Sequence, residues 1–203
     1  THQDGIISST GMDRYNVKVS ADTKLTNNWS SGFTANYITT SIDKAVTSGN
    51  GLLRTVYAAP PSYDLAGIPS HVDGNPYTQN SFRGSFDNAY WAMENNKFTE
   101  DTNRFFGNVY ASYQTDFGTT NHKLNAKYMV GVDAYTTHYV DSYGYGSNTG
   151  GGRGQIENYG WTNATYNSLL TINYDWHINE DWGLNAVVGN EIIQSNRKKY
   201  YEY

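Results

Sequence analysis

Several residues in this sequence have side chains that could do chemistry. His71 and Asp73 flank a single valine and could begin a metal site, but no second cluster in the chain has ligand spacing. Glu94, Glu100 and Asp101 place carboxylates near aromatic residues, yet a glycosidase needs two carboxylates at a defined separation that a sequence does not reveal. We therefore expect these to be solvent-exposed polar residues, and we expect no metal, no cofactor and no enzymatic activity.

A glycine-rich run, GGGRG, occupies 150–154 and superficially resembles a phosphate-binding loop. It lacks the Lys-Ser/Thr pair of a P-loop and does not lead from a strand into a helix. The run is therefore predicted to be a flexible or tightly turned loop tip.

Aromatic residues between the predicted strands are the strongest candidates for binding. Tyrosine and tryptophan combine a flat apolar face with a polar tip, which suits stacking on sugar rings or docking a partner protein. The alternative is that they only pack a loop into a stable cap, and the residues alone leave both interpretations open. The candidate substrate- or partner-binding residues are Tyr57, Tyr63, Tyr77, Tyr90 and Trp91.

The strands that would position these loops are long and alternate in polarity. In 102–117, the odd positions from Phe105 to Phe117 are apolar or small, whereas the even positions are mostly polar. Alternation with period two predicts a strand with one apolar and one wet face. Soluble strands usually have about 5–6 residues, while a tilted strand that crosses a bilayer needs roughly 9–11. Length and alternation together favour a membrane barrel.

The same pattern recurs along the chain. It predicts strands at 13–25, 29–43, 102–117, 122–143, 159–178 and 182–199. Short turns at 26–28, 118–121 and 179–181 join them into hairpins, whereas long extracellular loops are predicted at about 44–101 and 144–158. Aromatic residues flank the short turns, as in a membrane-interface girdle: Trp29, Phe117, Trp176 and Trp182.

Composition supports this fold class and excludes others. Only 16% of residues are charged, 15% are aromatic, and 19 of the 203 residues are tyrosine, which fits a sheet with one wet and one apolar face rather than a disordered chain. The net charge of -5 disfavours binding of nucleic acid. Because there is no cysteine, disulfides and thiol chemistry are excluded.

The residues also resemble a known family, the SusC/RagA-type TonB-linked outer-membrane receptors. The resemblance is carried by DGIISSTGMDRYNVKVSADTKLTNNW at 4–29, by NAYWAMENNKFTEDTNRFFGNVYASYQTDF at 88–117, and by the successive Tyr/Asn-rich hairpins. It covers essentially the whole chain but only part of such a receptor, since members have about 22 strands and an N-terminal plug.

The resemblance implies an all-β chain: about six long strands of an antiparallel, up-and-down transmembrane β-barrel in the outer membrane, with the plug domain absent from 1–203. It implies a TonB-dependent transporter that imports oligosaccharides or peptides together with a SusD-like surface lipoprotein, driven by the TonB complex through a plug. We expect the sequence to be a fragment, because six open strands would expose unpaired edges to lipid. The alternative is a soluble or surface-exposed all-β carbohydrate-binding or adhesin module.

Overall fold

The computed structural model describes residues 1–45, 51–118 and 121–203, and its main feature is one large antiparallel sheet. Its elements, in chain order, are β1 (His2–Asp4), β2 (Gly11–Lys24), β3 (Trp29–Lys44), α1 (Leu52–Ala58), β4 (His71–Val72), β5 (Asn75–Gln79), α2 (Ala89–Asn95), β6 (Lys97–Phe117), β7 (His122–Tyr145), a short 3-10 helix (Thr149–Gly152), β8 (Arg153–His177) and β9 (Gly183–Glu202). Within the described residues, neither helix is long and apolar enough to span a membrane.

The sheet is an up-and-down meander. Its strand order is β1-β2-β3-β6-β7-β8-β9, and β4 and β5 form a separate hairpin in the long excursion between β3 and β6. The predicted all-β, antiparallel section of long strands is confirmed, because β6, β7 and β8 have 21, 24 and 25 residues. The sheet is open, with β1 at one edge and β9 at the other.

Two of the short turns use the same local device. In the β2–β3 turn, the Thr26 hydroxyl accepts hydrogen bonds from the backbone N–H of Asn28 and of Trp29. In the β8–β9 turn, the Asn179 side-chain oxygen accepts the backbone N–H of Asp181 and of Trp182. A side-chain oxygen that satisfies two turn amides lets the chain reverse in few residues, as expected for Thr and Asn. Residues 119–120 of the predicted β6–β7 turn lie outside the described residues.

The continuous pairing register sorts the side chains onto two faces. Val17 pairs with Tyr37, Tyr37 with Phe105 and Phe105 with Ala134, so the apolar sets of neighbouring strands lie side by side. Charged and amide side chains occupy the other, polar face, where Lys18 is in register with Asn36. The predicted alternation is therefore confirmed in β2, β3, β6, β7 and β8, whereas in β9 Val187 and Ile193 fall on the polar face.

Neither face of the sheet is covered by a second layer. In the described residues, the buried apolar side chains are Phe86, Ala89, Trp91 and Phe98, all in or next to the excursion between β3 and β6. The apolar face is exposed throughout, with Val109 at 53% and Val188 at 69% exposure. The packed core of this chain is therefore a cap over the loop end of the sheet.

The predicted element bounds need three corrections. β1, which pairs with β2 as a seventh strand, was not predicted because three residues show no periodicity. β6 begins at Lys97 inside the predicted 44–101 loop, and β8 begins at Arg153 inside the predicted 144–158 loop. The strands extend beyond the apolar band, where both faces carry polar side chains and alternation no longer marks a strand.

Candidate functional site

The excursion between β3 and β6 folds around the Trp91 side chain. The Trp91 ring is 0% exposed, and its indole N–H donates to the Pro76 carbonyl at 2.9 Å. Asn88 caps α2, because its side-chain oxygen accepts the backbone N–H of Tyr90 and of Trp91 at 3.0 and 3.2 Å. The Asn88 side chain therefore fixes the start of α2 and, with it, the position of the Trp91 ring.

A buried carboxylate, Asp87, joins this excursion to the loop between β7 and β8. Asp87 is 3% exposed, and its Oδ2 accepts the Ser147 hydroxyl at 2.6 Å. Its Oδ1 accepts the Asn148 backbone N–H at 2.7 Å and the Gln79 side-chain amide at 2.8 Å. Gln79 also donates to the Gly146 carbonyl at 2.9 Å. The two loops, 51–96 and 146–152, therefore form one unit, which we call the loop cap.

Glycine is required where the two loops meet. Gly146 has φ +100, and an added Cβ would lie 2.1 Å from the Tyr77 carbonyl oxygen. Because this φ is rarely adopted by residues with a side chain, the tight packing of the two loops depends on glycine at this position. The predicted tight turn at 150–154 is confirmed, since its glycines have φ between +66 and +82.

The five candidate aromatic residues have different environments. Trp91 is corrected from a ligand-stacking candidate to a packing residue, because its full burial leaves no ring face for a ligand. Tyr63 contacts Phe82 with ring centroids 5.5 Å apart, and Tyr77 makes an edge contact with Tyr145 at 5.5 Å. No ring contact in the described structure joins two of the five candidates. A role in binding for Tyr57, Tyr63, Tyr77 and Tyr90 stays a prediction.

Helix α1 exposes an apolar stripe on the outside of the loop cap. Leu53, Val56 and Tyr57 are 51%, 45% and 84% exposed, and their i, i+3, i+4 spacing places them on one face of the helix. The opposite side of the helix is anchored by Thr55, which is 1% exposed and donates to the Asp87 carbonyl at 2.9 Å. The stripe is therefore presented on the outside of the loop cap and lacks a partner within the described chain.

Charged and aromatic side chains interlock across the polar face of the sheet. Tyr110 reaches over Gly32 and donates to Asp22 at 2.6 Å, which is possible because glycine leaves space beneath the ring. Lys127 lies 4.2 Å from the centre of the same ring. Arg104 donates through its Nε to Asp133 at 2.8 Å. These contacts hold long polar side chains in place on a face that has no covering layer.

A row of aromatic rings on the polar face, close to the loop cap, was missed by the sequence prediction. Tyr139 and Tyr159 stack with centroids 4.9 Å apart and planes within 4°, and Tyr201 follows at 6.0 Å. We call these three residues the aromatic row. Trp161 contacts Tyr139 at 5.2 Å, and the Lys44 Nζ lies 4.3 Å from the centre of the Tyr139 ring. Only the register between strands aligns these residues, so no local sequence pattern could have found the row.

Two carboxylates lie beside the aromatic row. Asp141 on β7 is the direct cross-strand partner of Glu157 on β8, and we call them the acidic pair. Tyr159 donates to Asp141 at 3.1 Å and Tyr201 donates to Glu157 at 3.0 Å. Partial burial raises the pKa of Asp141, and burial near Asp141 raises the pKa of Tyr159 to about 12. The hydroxyls therefore stay protonated as donors at neutral pH.

The other residues considered for chemistry are not brought together. His71 Nε2 lies 3.6 Å from Glu94, which is 62% exposed. Glu100 pairs with Lys44 on the polar face, whereas Asp101 accepts the Ser41 hydroxyl on the opposite face. Among the described residues, no group of three histidine or carboxylate side chains could hold a metal ion.

Comparison with known proteins shows a likeness in fold to a solved structure. No protein-family model and no curated protein matches the chain. Among solved structures, the RagAB peptide importer in its closed-closed state is similar, with a TM-score of 0.64 and 13% identity over 94% of this chain. The chain spans 22% of the length of that protein's chain. At this identity the likeness concerns the fold alone, which is a section of a long-stranded antiparallel sheet.

Two mutant forms of the porin of Rh. blastica are also similar at a much lower level. Their identities are 13% and 11%, over 94% and 95% of this chain and 91% of each porin. Both TM-scores are 0.11, which is too low to support an argument.

Proposed function

We propose that this chain is part of the wall and of the extracellular cap of an outer-membrane, TonB-dependent transporter that imports oligosaccharides or peptides. The single observation that carries the proposal is the height of the uncharged band on the apolar face of the sheet. The fold likeness to a peptide importer supports the same proposal.

The band has the dimension that a bilayer requires. Between the rows of Phe117 and Phe105, the register places no Asp, Glu, Lys or Arg on the apolar face of any long strand. The two residues are 12 positions apart on β6 (117 minus 105), which corresponds to about 41 Å along a strand. At the usual barrel tilt the band is roughly 29–34 Å high, close to the hydrocarbon thickness of a bilayer.

Charges resume beyond the band at the loop end. On the apolar side, Asp13 is in register with Ser41, Ser41 with Asp101 and Asp101 with His138. Asp13 and Asp101 therefore lie four residues above the Phe105 row, which is the arrangement expected where strands leave lipid and enter water. This row therefore supports the proposed upper boundary of the membrane.

Aromatic residues mark the boundary at the turn end. His122 stacks between Phe117 at 5.3 Å and Trp176 at 5.4 Å, and Trp29 contacts Tyr113 at 5.0 Å. Rings of this kind are typical of the interface between hydrocarbon and headgroups. The turn end would then face the periplasm, and the loop cap would face the outside of the cell.

The loop cap would be the part of the chain that meets a partner. The exposed stripe of Leu53, Val56 and Tyr57 is apolar, which suits docking of a SusD-like surface lipoprotein that closes over the barrel. The polar face would line the lumen and contact substrate, solvent or a plug. The TonB complex would act through that plug, so the chain itself would bind and guide substrate without covalent chemistry.

A soluble binding module fits these observations less well. A soluble sandwich buries one face of its sheet against a second layer, whereas both faces of this sheet are uncovered. Of the buried apolar residues described, Phe86, Ala89 and Trp91 belong to the loop cap and Phe98 lies at the loop end of β6. The alternative would require another chain segment to cover the uncharged band. Membrane lipid provides the same cover without one.

The proposal can be tested by deleting the excursion from the full-length protein that carries this sequence. Leu52 and Asn96 line the same small cavity, so a short Gly-Ser linker can replace 53–95 without separating β3 from β6. We expect the deletion variant to insert into the outer membrane and to lose uptake of peptides and oligosaccharides. Unchanged uptake would refute the role of the cap, and recovery of the protein in a detergent-free soluble fraction would refute the membrane location.

A further inference from the structure

The acidic pair is unusual because it places two negative charges directly opposite each other on neighbouring strands. Asp141 and Glu157 are direct cross-strand partners on one face, and like charges in this position destabilise a sheet. In the described part of the chain, no ion pair includes either residue. Their hydrogen bonds come from neutral donors, Tyr159, Tyr201 and the Gln155 amide.

The surrounding charges leave a local excess of negative charge. The carboxylates beside the aromatic row are Glu100, Asp141 and Glu157, and Lys44 is the cation that acts on Asp141. Two further cations on this face, Arg197 and Lys199, lie beside Trp161 rather than at the acidic pair. Lys44 is already engaged, since its Nζ lies 3.3 Å from Glu100 and over the Tyr139 ring. A further cation at the acidic pair would therefore be stabilised by charges that this chain does not neutralise itself.

The aromatic row supplies the second feature that such a cation needs. A guanidinium or ammonium group is attracted to the face of an aromatic ring, more strongly when carboxylates lie beside it. Tyr201 is 61% exposed and forms the outer end of the row. Tyr159 occupies one acceptor site of Asp141, and Gln155 and Tyr201 occupy two of Glu157, so the remaining lone pairs of both carboxylates can accept from an incoming donor.

We infer that the acidic pair and the aromatic row form a subsite on the polar face that binds a basic side chain, arginine or lysine, of a peptide. The inference rests on the proposed function, which it narrows from oligosaccharides or peptides to peptides that carry basic residues. An arginine fits best, because its planar fork can bond both carboxylates while it stacks on a ring.

The test uses the full-length protein and two synthetic peptides of equal length, one with arginines and one with citrulline at the same positions. Citrulline keeps the shape of arginine and removes its charge. We expect the wild-type protein to bind the arginine peptide about tenfold more tightly. The double variant Asp141→Asn with Glu157→Gln should lose this preference and bind the citrulline peptide as before.

Two further variants separate recognition from structure. Lys44→Met removes the competing cation, so we expect it to increase the preference for arginine, whereas a purely structural role would weaken binding of both peptides. Asp116→Asn with Asp175→Asn removes two charges from the same face at its turn end, and should change nothing.

Each outcome decides the inference. Equal wild-type binding of both peptides, or a preference that survives in the double variant, would overturn the subsite while leaving the transporter proposal intact. Loss of both peptides in the double variant would show a structural role instead. Failure of the wild-type protein to bind or import either peptide would count against both the subsite and the importer.

Discussion

The substitution Asp87→Ala should separate the two loops of the cap. The change removes the acceptor of three hydrogen bonds, from Ser147 at 2.6 Å, Asn148 at 2.7 Å and Gln79 at 2.8 Å. Ser147 is fully buried, so its hydroxyl cannot find water unless the loops move apart. Because each unsatisfied buried donor costs about 1–3 kcal/mol, we expect a loss of about 3–5 kcal/mol in the free energy of opening the cap.

Hydrogen–deuterium exchange can measure this loss in the full-length protein. A change of about 3–5 kcal/mol raises the open population by roughly two to three and a half orders of magnitude. Amides at 146–148 and 88–92 should therefore exchange much faster, while those in the centre of β6 and β7 should not change. The strand centres do not depend on the cap, since their hydrogen bonds run between neighbouring strands.

Graded variants make the expectation sharper. Asp87→Asn keeps one acceptor oxygen and should have an intermediate effect, and Ser147→Ala should remove only one of the three bonds. Asp64→Asn is the matched control, because Asp64 lies in the same excursion, is exposed, and its carboxylate accepts the Gly67 backbone N–H at 2.9 Å. If amides 146–148 of Asp87→Ala exchange as slowly as in the wild-type protein, Asp87 does not hold the two loops together.

The remaining predictions concern the two faces, the cap core and pH. Val109→Lys places a charge within the apolar band and should destabilise the membrane-inserted state by about 2–4 kcal/mol. Asn108→Lys places the same charge on the opposite face and should have little effect. Unfolding titrations in lipid bilayers measure the free energy of unfolding of each variant. Trp91→Ala should destabilise the loop cap by about 3–5 kcal/mol, seen as faster proteolysis at 51–96, with a smaller effect for Trp91→Phe. Burial raises the pKa of Asp141, so protonation of Asp141 as the pH falls should increase the free energy of unfolding and weaken binding of an arginine peptide. A pH series in which stability and peptide affinity rise or fall together would contradict this expectation.

The strands and their faces could be predicted from the sequence because both depend on local periodicity. In β6, side chains from Phe105 to Phe117 alternate between lipid-compatible and polar types, and alternation within one strand reports its two faces directly. The alternation of apolar and polar side chains ends where the strands extend beyond the uncharged band. Lys97 and Arg153 were therefore assigned to loops, although their backbones continue the ladder.

The candidate site was predicted only in part, for a different reason. Aromatic content marked the excursion as folded, but it did not distinguish Trp91, whose ring is buried, from Tyr57, which is 84% exposed. Burial depends on which distant groups converge, such as the Pro76 carbonyl on the Trp91 indole. The spacing of residues within the excursion does not predict which of these groups come into contact.

The sequence by itself determined that this chain forms long antiparallel strands with one apolar face, because alternation is a property of each strand alone. Only the tertiary structure decided that Asp87 joins two loops and that Tyr139, Tyr159 and Tyr201 lie in one row. Both arrangements join residues that are 20 to 60 positions apart. Their contacts depend on strand register and loop packing, and those are set by the sum of all pairings rather than by any local pattern.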